Sequence, residues 1–216
     1  MEYMDIAGEF FQRYPALVPL KENFLAAFSV IRESFQQKGK LLVCGNGGSA
    51  ADSDHITAEL MKGFKLERKL PPPEINKFGN SPDYAYITSH LQGALPAISL
   101  AAHTSLITAL ANDVAPDMVF AQQVYGYGVP GDVLFCLSTS GNSGNVLMAA
   151  KTARPLGLKV VSVCGYSGGL LKDLSDVCIQ LPEHQTAAVQ ELTLPLYHAL
   201  CGMLEHFFFR DSPAVL

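Results

Sequence analysis

Small and hydroxyl-bearing residues concentrate in two stretches, "GNGGS" at 45–49 and "STSGNSGN" at 138–145, and each directly follows a short apolar run. Glycine lets backbone N–H groups approach an anion, and hydroxyls beside the positive end of a helix donate hydrogen bonds to it. A phosphate monoester suits such a cradle. Either turn alone is explained equally well as a helix-capping loop, but the two together favour a binding site. The candidate donors are the backbone at Gly45, Gly47 and Gly48 and the hydroxyls of Ser138, Thr139, Ser140 and Ser143.

Acid–base and metal chemistry is available from residues on two other stretches. His55 and Glu59 in "HITAE" lie four positions apart, on one face of a predicted helix, where they can share a metal or a proton path. Such a pair on its own is more often an ordinary surface pair. Gln190 and His198 lie about 12 Å apart along a helix, so one small ligand hardly contacts both in a single chain. Pro195 between them is expected to kink that helix or to begin a new segment.

The elements that must position these groups alternate between strand and helix, which indicates a parallel sheet covered on both faces. We expect an α/β fold, a three-layer doubly wound (flavodoxin-like) domain with five parallel strands and ligands at their carboxyl ends. Short apolar runs predict strands at 40–45, 95–100, 132–137 and 159–165, with a weaker fifth at 176–181. Helical stretches are predicted at 20–37, 49–63, 104–112, 117–126, 143–155, 168–173 and 187–208.

Length and composition indicate one domain that contacts other subunits. A chain of 216 residues fits a single domain, here 1–216, with an N-terminal helical segment at 1–38. The segment 69–94 is rich in proline and has no clear period, so it is predicted as an unusually long loop. Only 16% of the residues are charged, which is low for a free monomer and predicts apolar surface against a partner.

Several classes of ligand and location are disfavoured. The turns lack GxxxxGK[ST], and the first lacks GxGxxG, so no nucleotide cofactor is expected. A formal net charge of −5 without basic runs disfavours direct contact with nucleic acid. Five scattered cysteines without a CxxC pair predict reduced thiols in the cytoplasm. No apolar run approaches the ~20 residues of a membrane span, so no membrane association is expected.

In their order and spacing, "GNGGSAADSDHITAEL", "LAND", "STSGNSGNV" and "VQELTLPLYHAL" resemble the phosphoheptose isomerase branch of the sugar isomerase (SIS) domain family, over about residues 20–208. The resemblance implies a cytoplasmic homotetramer with active sites at subunit interfaces. It also implies a small phosphorylated sugar as substrate, with sedoheptulose 7-phosphate converted to D-glycero-D-manno-heptose 7-phosphate.

The resemblance also implies a role for each matching residue. Glu59 corresponds to the base and His198 to the acid of an isomerisation through an enediol(ate). Some members bind Zn²⁺, and the metal positions that correspond are His55, Glu59, Gln190 and His198. The implied substrate-binding positions are Asn46, Gly47, Gly48, Ser49, Glu59, Asn112, Asp113, Ser138, Thr139, Ser140, Ser143 and Gln190.

Two departures from the family pattern keep alternatives open. About twenty residues are inserted between the helix of Glu59 and the strand at 95–100, which leaves the identity of the sugar open. Pro195 is the second departure. One alternative is a non-catalytic SIS scaffold, similar to a relative that associates with the bacterial initiator DnaA, although Glu59 and His198 favour an enzyme. The other is a sensor of, or an isomerase for, another phosphosugar.

Overall fold

A five-stranded parallel sheet forms the centre of the computed structural model, which describes residues 2–79 and 81–210. The strand order is β2-β1-β3-β4-β5. β2 and β3 therefore lie on opposite sides of β1, and the order in which strands are added to the sheet reverses between β1 and β3. This is the order of a flavodoxin-like doubly wound domain, and it confirms the predicted fold class. The strands are β1 Leu41–Cys44, β2 Ala97–Ser99, β3 Val133–Ser138, β4 Lys159–Cys164 and β5 Val177–Gln180.

Helices cover both faces of the sheet because alternate strand residues point to opposite sides. Leu41 and Val43 pack with helices at 3–13, 21–36, 48–61 and 186–209, whereas Leu42 and Cys44 pack with helices between residues 104 and 174. The helices are α1 Tyr3–Arg13, α2 Lys21–Gln36, α3 Gly48–Met61, α4 Pro72–Asn76, α5 Pro82–His90, α6 Thr104–Asp113, α7 Ala121–Tyr127, α8 Gly144–Ala153, α9 Leu171–Leu174 and α10 Thr186–Phe209. Short 3₁₀ helices lie at Pro15–Leu20 and Pro116–Met118.

The proline-rich segment 69–94 is more ordered than its sequence predicted. It contains α4 and α5, and an antiparallel bridge between Lys69 and Gln92 closes its base. Each helix begins with proline, at Pro72 and Pro82, because the missing N–H is not needed in the first turn. The proline content and the lack of a clear period predicted a long loop, whereas the structure has two short helices in this segment. The boundaries of one domain at 1–216 stay a prediction, and residues 1, 80 and 211–216 lie outside the described residues.

Helix α10 runs without interruption from Thr186 to Phe209, so Pro195 does not begin a new segment. Buried residues on both sides of the proline, such as Thr193 and Leu196, pack the helix onto the core and offset the lost backbone hydrogen bond. No helix in residues 2–79 and 81–210 is both long enough and apolar enough to cross a membrane.

Candidate active site

The two predicted turns lie side by side, because β1 and β3 are neighbours and run in the same direction. Gly47 has a φ of 55°, a left-handed conformation that glycine adopts without strain. A Cβ on Gly48 would lie 2.5 Å from Nε2 of Gln190, so a larger residue there would displace the Gln190 side chain from its present position. The first turn therefore contacts α10 as well as β3.

A pair of asparagines joins the two turns directly. Asn46 Nδ2 donates to Asn145 Oδ1 at 2.8 Å, and Asn145 Nδ2 donates back to Asn46 Oδ1 at 2.9 Å. The reciprocal bonds use an oxygen and a nitrogen of each amide group. They hold Asn46, in the turn after β1, against the first turn of α8.

A cavity of about 270 Å³ opens between these turns and the start of α10. Its lining is neutral, since it consists of Asn46, Gly47, Gly48, Ser49, Leu137, Ser138, Thr139, Ser143, Thr186 and Gln190. Ser138 Oγ and Ser143 Oγ lie 3.1 Å apart and share one hydrogen bond. We call this lining the anion cradle.

Three helices begin at the anion cradle. Gly48 starts α3, Thr186 starts α10, and Ser143 is the N-cap of α8, which starts at Gly144. The free N–H groups and the positive dipole end of each helix favour an anion at this point. Because no lining side chain is charged, backbone amides and hydroxyls must supply the stabilisation.

A second group of polar side chains lies where α3 packs against α10. His55 Nε2 and His198 Nε2 each lie 3.1 Å from Glu59 Oε1, and one ligand atom from each residue falls within 4.8 Å of the others. The Glu59 side chain is 5% exposed. We call His55, Glu59 and His198 the Glu59 cluster.

Glu59 Oε2 and His198 Nε2 are buried and make no well-oriented hydrogen bond among the described residues, although His198 Nε2 lies 3.1 Å from Glu59 Oε1. Buried polar atoms are rarely left unpaired, because losing water without a replacement costs about 1–3 kcal/mol. The unpaired atoms point to a bound group that completes them. Two imidazoles and a carboxylate are also a donor set that Zn²⁺ accepts, so the residues fit this metal.

Tyr197 orients His55 through the Nδ1 atom of its ring. Its hydroxyl donates to Asp52 Oδ1 at 3.2 Å and lies 2.9 Å from His55 Nδ1. Burial, with the nearby carboxylate of Asp52, raises the pKa of Tyr197, so the hydroxyl keeps its proton. The hydroxyl oxygen can accept from the Nδ1–H of His55, which fixes the ring with Nε2 on the side of Glu59.

Burial also changes the acidity of the other two cluster residues. Loss of water raises the pKa of Glu59 to about 7, although a hydrogen bond with Cys201 and the charge of Lys62 oppose the change. Burial, together with the charges of His55 and Lys65, lowers the pKa of His198. A carboxyl group whose pKa lies near neutral pH, beside a neutral imidazole, is the arrangement that proton transfer at neutral pH requires.

A larger cavity of about 460 Å³ borders the Glu59 cluster at His198. Its lining combines apolar and charged side chains from α1, α10 and residues 64 and 65: Ile6, Glu9, Phe10, Arg13, Tyr14, Phe64, Lys65, Glu191, Leu194, Pro195, His198 and Ala199. Of the Glu59 cluster, only His198 reaches this cavity. A molecule bound there would contact a different set of residues from one in the anion cradle.

Comparisons with known proteins agree with this geometry. The family model described as SIS domain matches residues 3–92 and 82–165. The chain belongs to the phosphoheptose isomerase branch of the SIS domain family. The phosphoheptose isomerase of Helicobacter pylori (strain Shi470) is 39% identical over 197 residues, which cover 91% of this chain and 90% of the relative. That of Roseiflexus sp. (strain RS-1) is 40% identical over 83% of this chain and 79% of its own.

Solved structures support the same assignment. The phosphoheptose isomerase of Neisseria gonorrhoeae superposes with a TM-score of 0.71 at 32% identity, covering 94% of this chain and 97% of that one. The chain is therefore a phosphosugar isomerase with the SIS fold, as the resemblance of its motifs predicted.

The SIS fold brings most of the predicted site residues into two groups and leaves three outside them. Asn112 and Asp113 are exposed at the end of α6, bonded to each other at 2.7 Å, and line neither cavity. Ser140 is exposed, and its Oγ accepts from the backbone N–H of Asn142. Gln190 lines the anion cradle with its side chain against Gly48, so its role as a metal ligand stays a prediction.

Four residues of this isomerase that the sequence did not single out lie in the two groups or contact them directly. Asn145 lies within the quoted "STSGNSGN" stretch but was not assigned a role, and Thr186 is the first residue of α10. Asp52 lies one helical turn before His55, and Tyr197 directly precedes His198. Helical spacing identifies Asp52 as a neighbour of His55, but only the packing of α3 on α10 brings in Tyr197.

Proposed function

We propose that this phosphosugar isomerase converts sedoheptulose 7-phosphate to D-glycero-D-manno-heptose 7-phosphate. One observation carries the proposal: a buried carboxylate with a free oxygen, Glu59 Oε2, lies between two imidazoles in a chain whose relatives are named phosphoheptose isomerases. Aldose–ketose exchange needs a base at the carbon next to the carbonyl and an acid at the carbonyl oxygen. The Glu59 cluster contains both kinds of group.

Glu59 is the base that removes the proton and returns it to the neighbouring carbon. With its pKa raised to about 7, the carboxylate is a stronger base than that of an exposed glutamate and titrates near neutral pH. His198 is the acid that protonates the oxygen of the enediol(ate). Its lowered pKa keeps the imidazole neutral, and a neutral imidazole N–H can still donate to a developing oxyanion.

The anion cradle holds the phosphate. Ser138, Thr139, Ser140 and Ser143 are the proposed phosphate ligands, and α8 directs its positive end at the same point. Binding energy at this remote group orients the carbonyl end for proton transfer. The proposed contacts to the sugar are Asn46, Gly47, Gly48, Ser49, Asn112, Asp113 and Gln190.

The Glu59 cluster also fits Zn²⁺, with His55, Glu59 and His198 as ligands and Gln190 as the fourth that the resemblance implies. When bound, the ion would polarise the carbonyl as a Lewis acid. A ring nitrogen that binds a metal carries no proton, so His198 cannot serve as ligand and acid through Nε2 at once. Removal of metal therefore distinguishes the two roles.

Distances within one chain support active sites shared between subunits. Eleven residues separate Gly48 from Glu59 on α3, which places them roughly 16 Å apart along the helix axis. From phosphorus to the second carbon, an extended heptulose 7-phosphate spans roughly 9 Å over seven bonds. One substrate does not bridge the two groups of the same chain, so we propose a homotetramer in which one subunit's anion cradle serves another's Glu59 cluster.

We also propose that the enzyme works in the cytoplasm. All five cysteines are free thiols, and four of them are buried. A reducing compartment keeps thiols in this state.

A coupled assay over five-, six- and seven-carbon ketose phosphates, with and without a chelator, tests the function. Sedoheptulose 7-phosphate should give the highest kcat/KM, and its aldose product should be identified by NMR. Higher turnover of a shorter ketose phosphate would move the assignment to another phosphosugar. Activity that survives the chelator, with metal analysis confirming removal, would assign His198 as the acid, whereas loss that Zn²⁺ restores would assign it as a ligand.

A further inference from the structure

A fully buried ion pair lies directly beneath the Glu59 cluster. Arg68 is 1% exposed and Glu205 is 0% exposed, and Arg68 Nε donates to Glu205 Oε1 at 2.8 Å. Burying two charges costs several kcal/mol for each ion unless every polar atom is satisfied, so such a pair is weak support for stability. Its position suggests a different role.

The guanidinium of Arg68 binds the end of the helix that carries the base. Arg68 Nη1 donates to the carbonyl of Leu60 at 2.7 Å, and Nη2 donates to the carbonyl of Glu59 at 2.9 Å. Helix α3 ends at Met61, so these carbonyls belong to the last turn, which lacks partners within the helix. Arg68 therefore fixes the backbone of Glu59 itself.

The carboxylate of Glu205 holds the other side of the cluster. It lies on α10, seven residues or roughly 10 Å beyond His198. Its Oε1 accepts the N–H of Phe64 and its Oε2 accepts the N–H of Lys65, both at 2.8 Å. The ring of Phe64 lies 5.5 Å from the ring of His198, so this segment packs against the imidazole.

We propose that Arg68 and Glu205 are positioning residues for the isomerisation, an inference that rests on the proposed roles of Glu59 and His198. The pair links α3, the segment after it and α10, the three parts of the chain that surround the reacting groups. It keeps Glu59 Oε1 at 3.1 Å from both imidazoles. Neither residue contacts the substrate, so their effect passes through the geometry of the Glu59 cluster.

A matched control distinguishes positioning from general stability. Asp132 is also 0% exposed, and it accepts from Lys40 Nζ at 2.6 Å and from the N–H groups of Lys40 and Val129 at 2.9 Å. Like Glu205, it is a buried carboxylate with one cation and two backbone donors. It precedes β3, at the end of the sheet opposite the anion cradle.

The experiment compares Glu205→Gln with Asp132→Asn, in kcat and KM, at a temperature where circular dichroism shows both to be folded. Misplacing reacting groups by about 1 Å costs about 100-fold, so kcat of Glu205→Gln should fall by about that factor. Its KM should change less than about threefold because the anion cradle is intact. Asp132→Asn should keep the wild-type kcat. Equal losses of kcat in both variants would overturn the proposal.

A double variant, Arg68→Met with Glu205→Leu, keeps the test informative if Glu205→Gln does not fold. Apolar replacement removes both buried charges together, but the two carbonyls and two N–H groups that the pair bonds lose these partners. This variant should therefore unfold below the wild-type temperature, and its kcat, measured where circular dichroism shows it folded, should stay low. Recovery of kcat would show that the pair serves packing alone. Its crystal structure is a readout without substrate: displacement of Glu59 from His198 is expected, and an unchanged cluster would refute positioning even if wild-type protein turned over no heptose phosphate.

Discussion

The anion cradle and the Glu59 cluster both use α3 and α10, but they are built from different materials. The cradle consists of turns, hydroxyls and helix starts without a charged side chain, whereas the cluster places a carboxylate that is 5% exposed between two imidazoles. Backbone amides hold an anion at little cost because they need partners at a helix start in any case. A buried carboxylate is unfavourable until substrate or metal completes it. The anion cradle is therefore suited to holding a substrate, and the Glu59 cluster to reacting with it.

The largest expected effect comes from the base. Glu59→Gln keeps the size of the side chain but removes the basic oxygen, so kcat should fall about 10³-fold while KM changes little. Steady-state kinetics with the best ketose phosphate measures both. Glu33→Gln is the control, because that side chain is 58% exposed on α2. If KM rose and kcat did not fall, the cluster would belong to binding, and the contrast between the two regions would be lost.

Loss of hydroxyls from the anion cradle should show the reverse pattern. Ser138→Ala combined with Ser143→Ala removes two donors that face each other at 3.1 Å, so KM should rise roughly 10- to 100-fold with kcat nearly unchanged. Ser140→Ala tests the one proposed phosphate ligand that lies outside the cavity lining, and its KM should rise less because its exposed hydroxyl also accepts from Asn142 N. An equal rise for Ser140→Ala would extend the cradle to the outer part of the turn.

A smaller effect is expected from Tyr197, which contacts the Glu59 cluster through His55. Tyr197→Phe removes the hydroxyl that bonds His55 Nδ1 at 2.9 Å, and loss of such a partner costs about 10-fold or more in metal affinity. Titration calorimetry with Zn²⁺ on chelator-treated protein measures the change. Tyr125→Phe, at a ring that is 67% exposed, should bind like wild type. Identical affinities for all three proteins would remove Tyr197 from the site.

The smallest effect concerns stability and pH. The pKa of Glu59 is about 7 when folded and 4.5 in a model compound, so the folded protein binds the proton more tightly, and stability falls as pH rises between these values. Metal-free Glu59→Gln has no carboxyl group at this position, so its stability does not fall with pH for this reason. Its Tm should match that of wild type near pH 4.5 and exceed it by about 3 °C or more at pH 8. A difference in Tm that does not vary with pH would place the carboxylate in water.

Much of the anion cradle was predictable because its determinants are local. A short apolar run, a glycine-rich turn and a helix start lie next to one another in the chain, and the parallel sheet brings two such turns together. The prediction for 69–94 was less successful. Its proline content and lack of a period predict a loop, yet Pro72 and Pro82 each occupy the first position of a helix.

By itself the sequence determined the strand–helix alternation, the two turns and the pairing of His55 with Glu59, since each depends on residues within a few positions of one another. Only the tertiary structure decided that His198, 139 residues after Glu59, lies 3.1 Å from it while Gln190 lies with the anion cradle. It also decided that Arg68 and Glu205 are buried together. Packing of α3 against α10 fixes these distances, and the burial that it imposes raises the pKa of Glu59 to about 7.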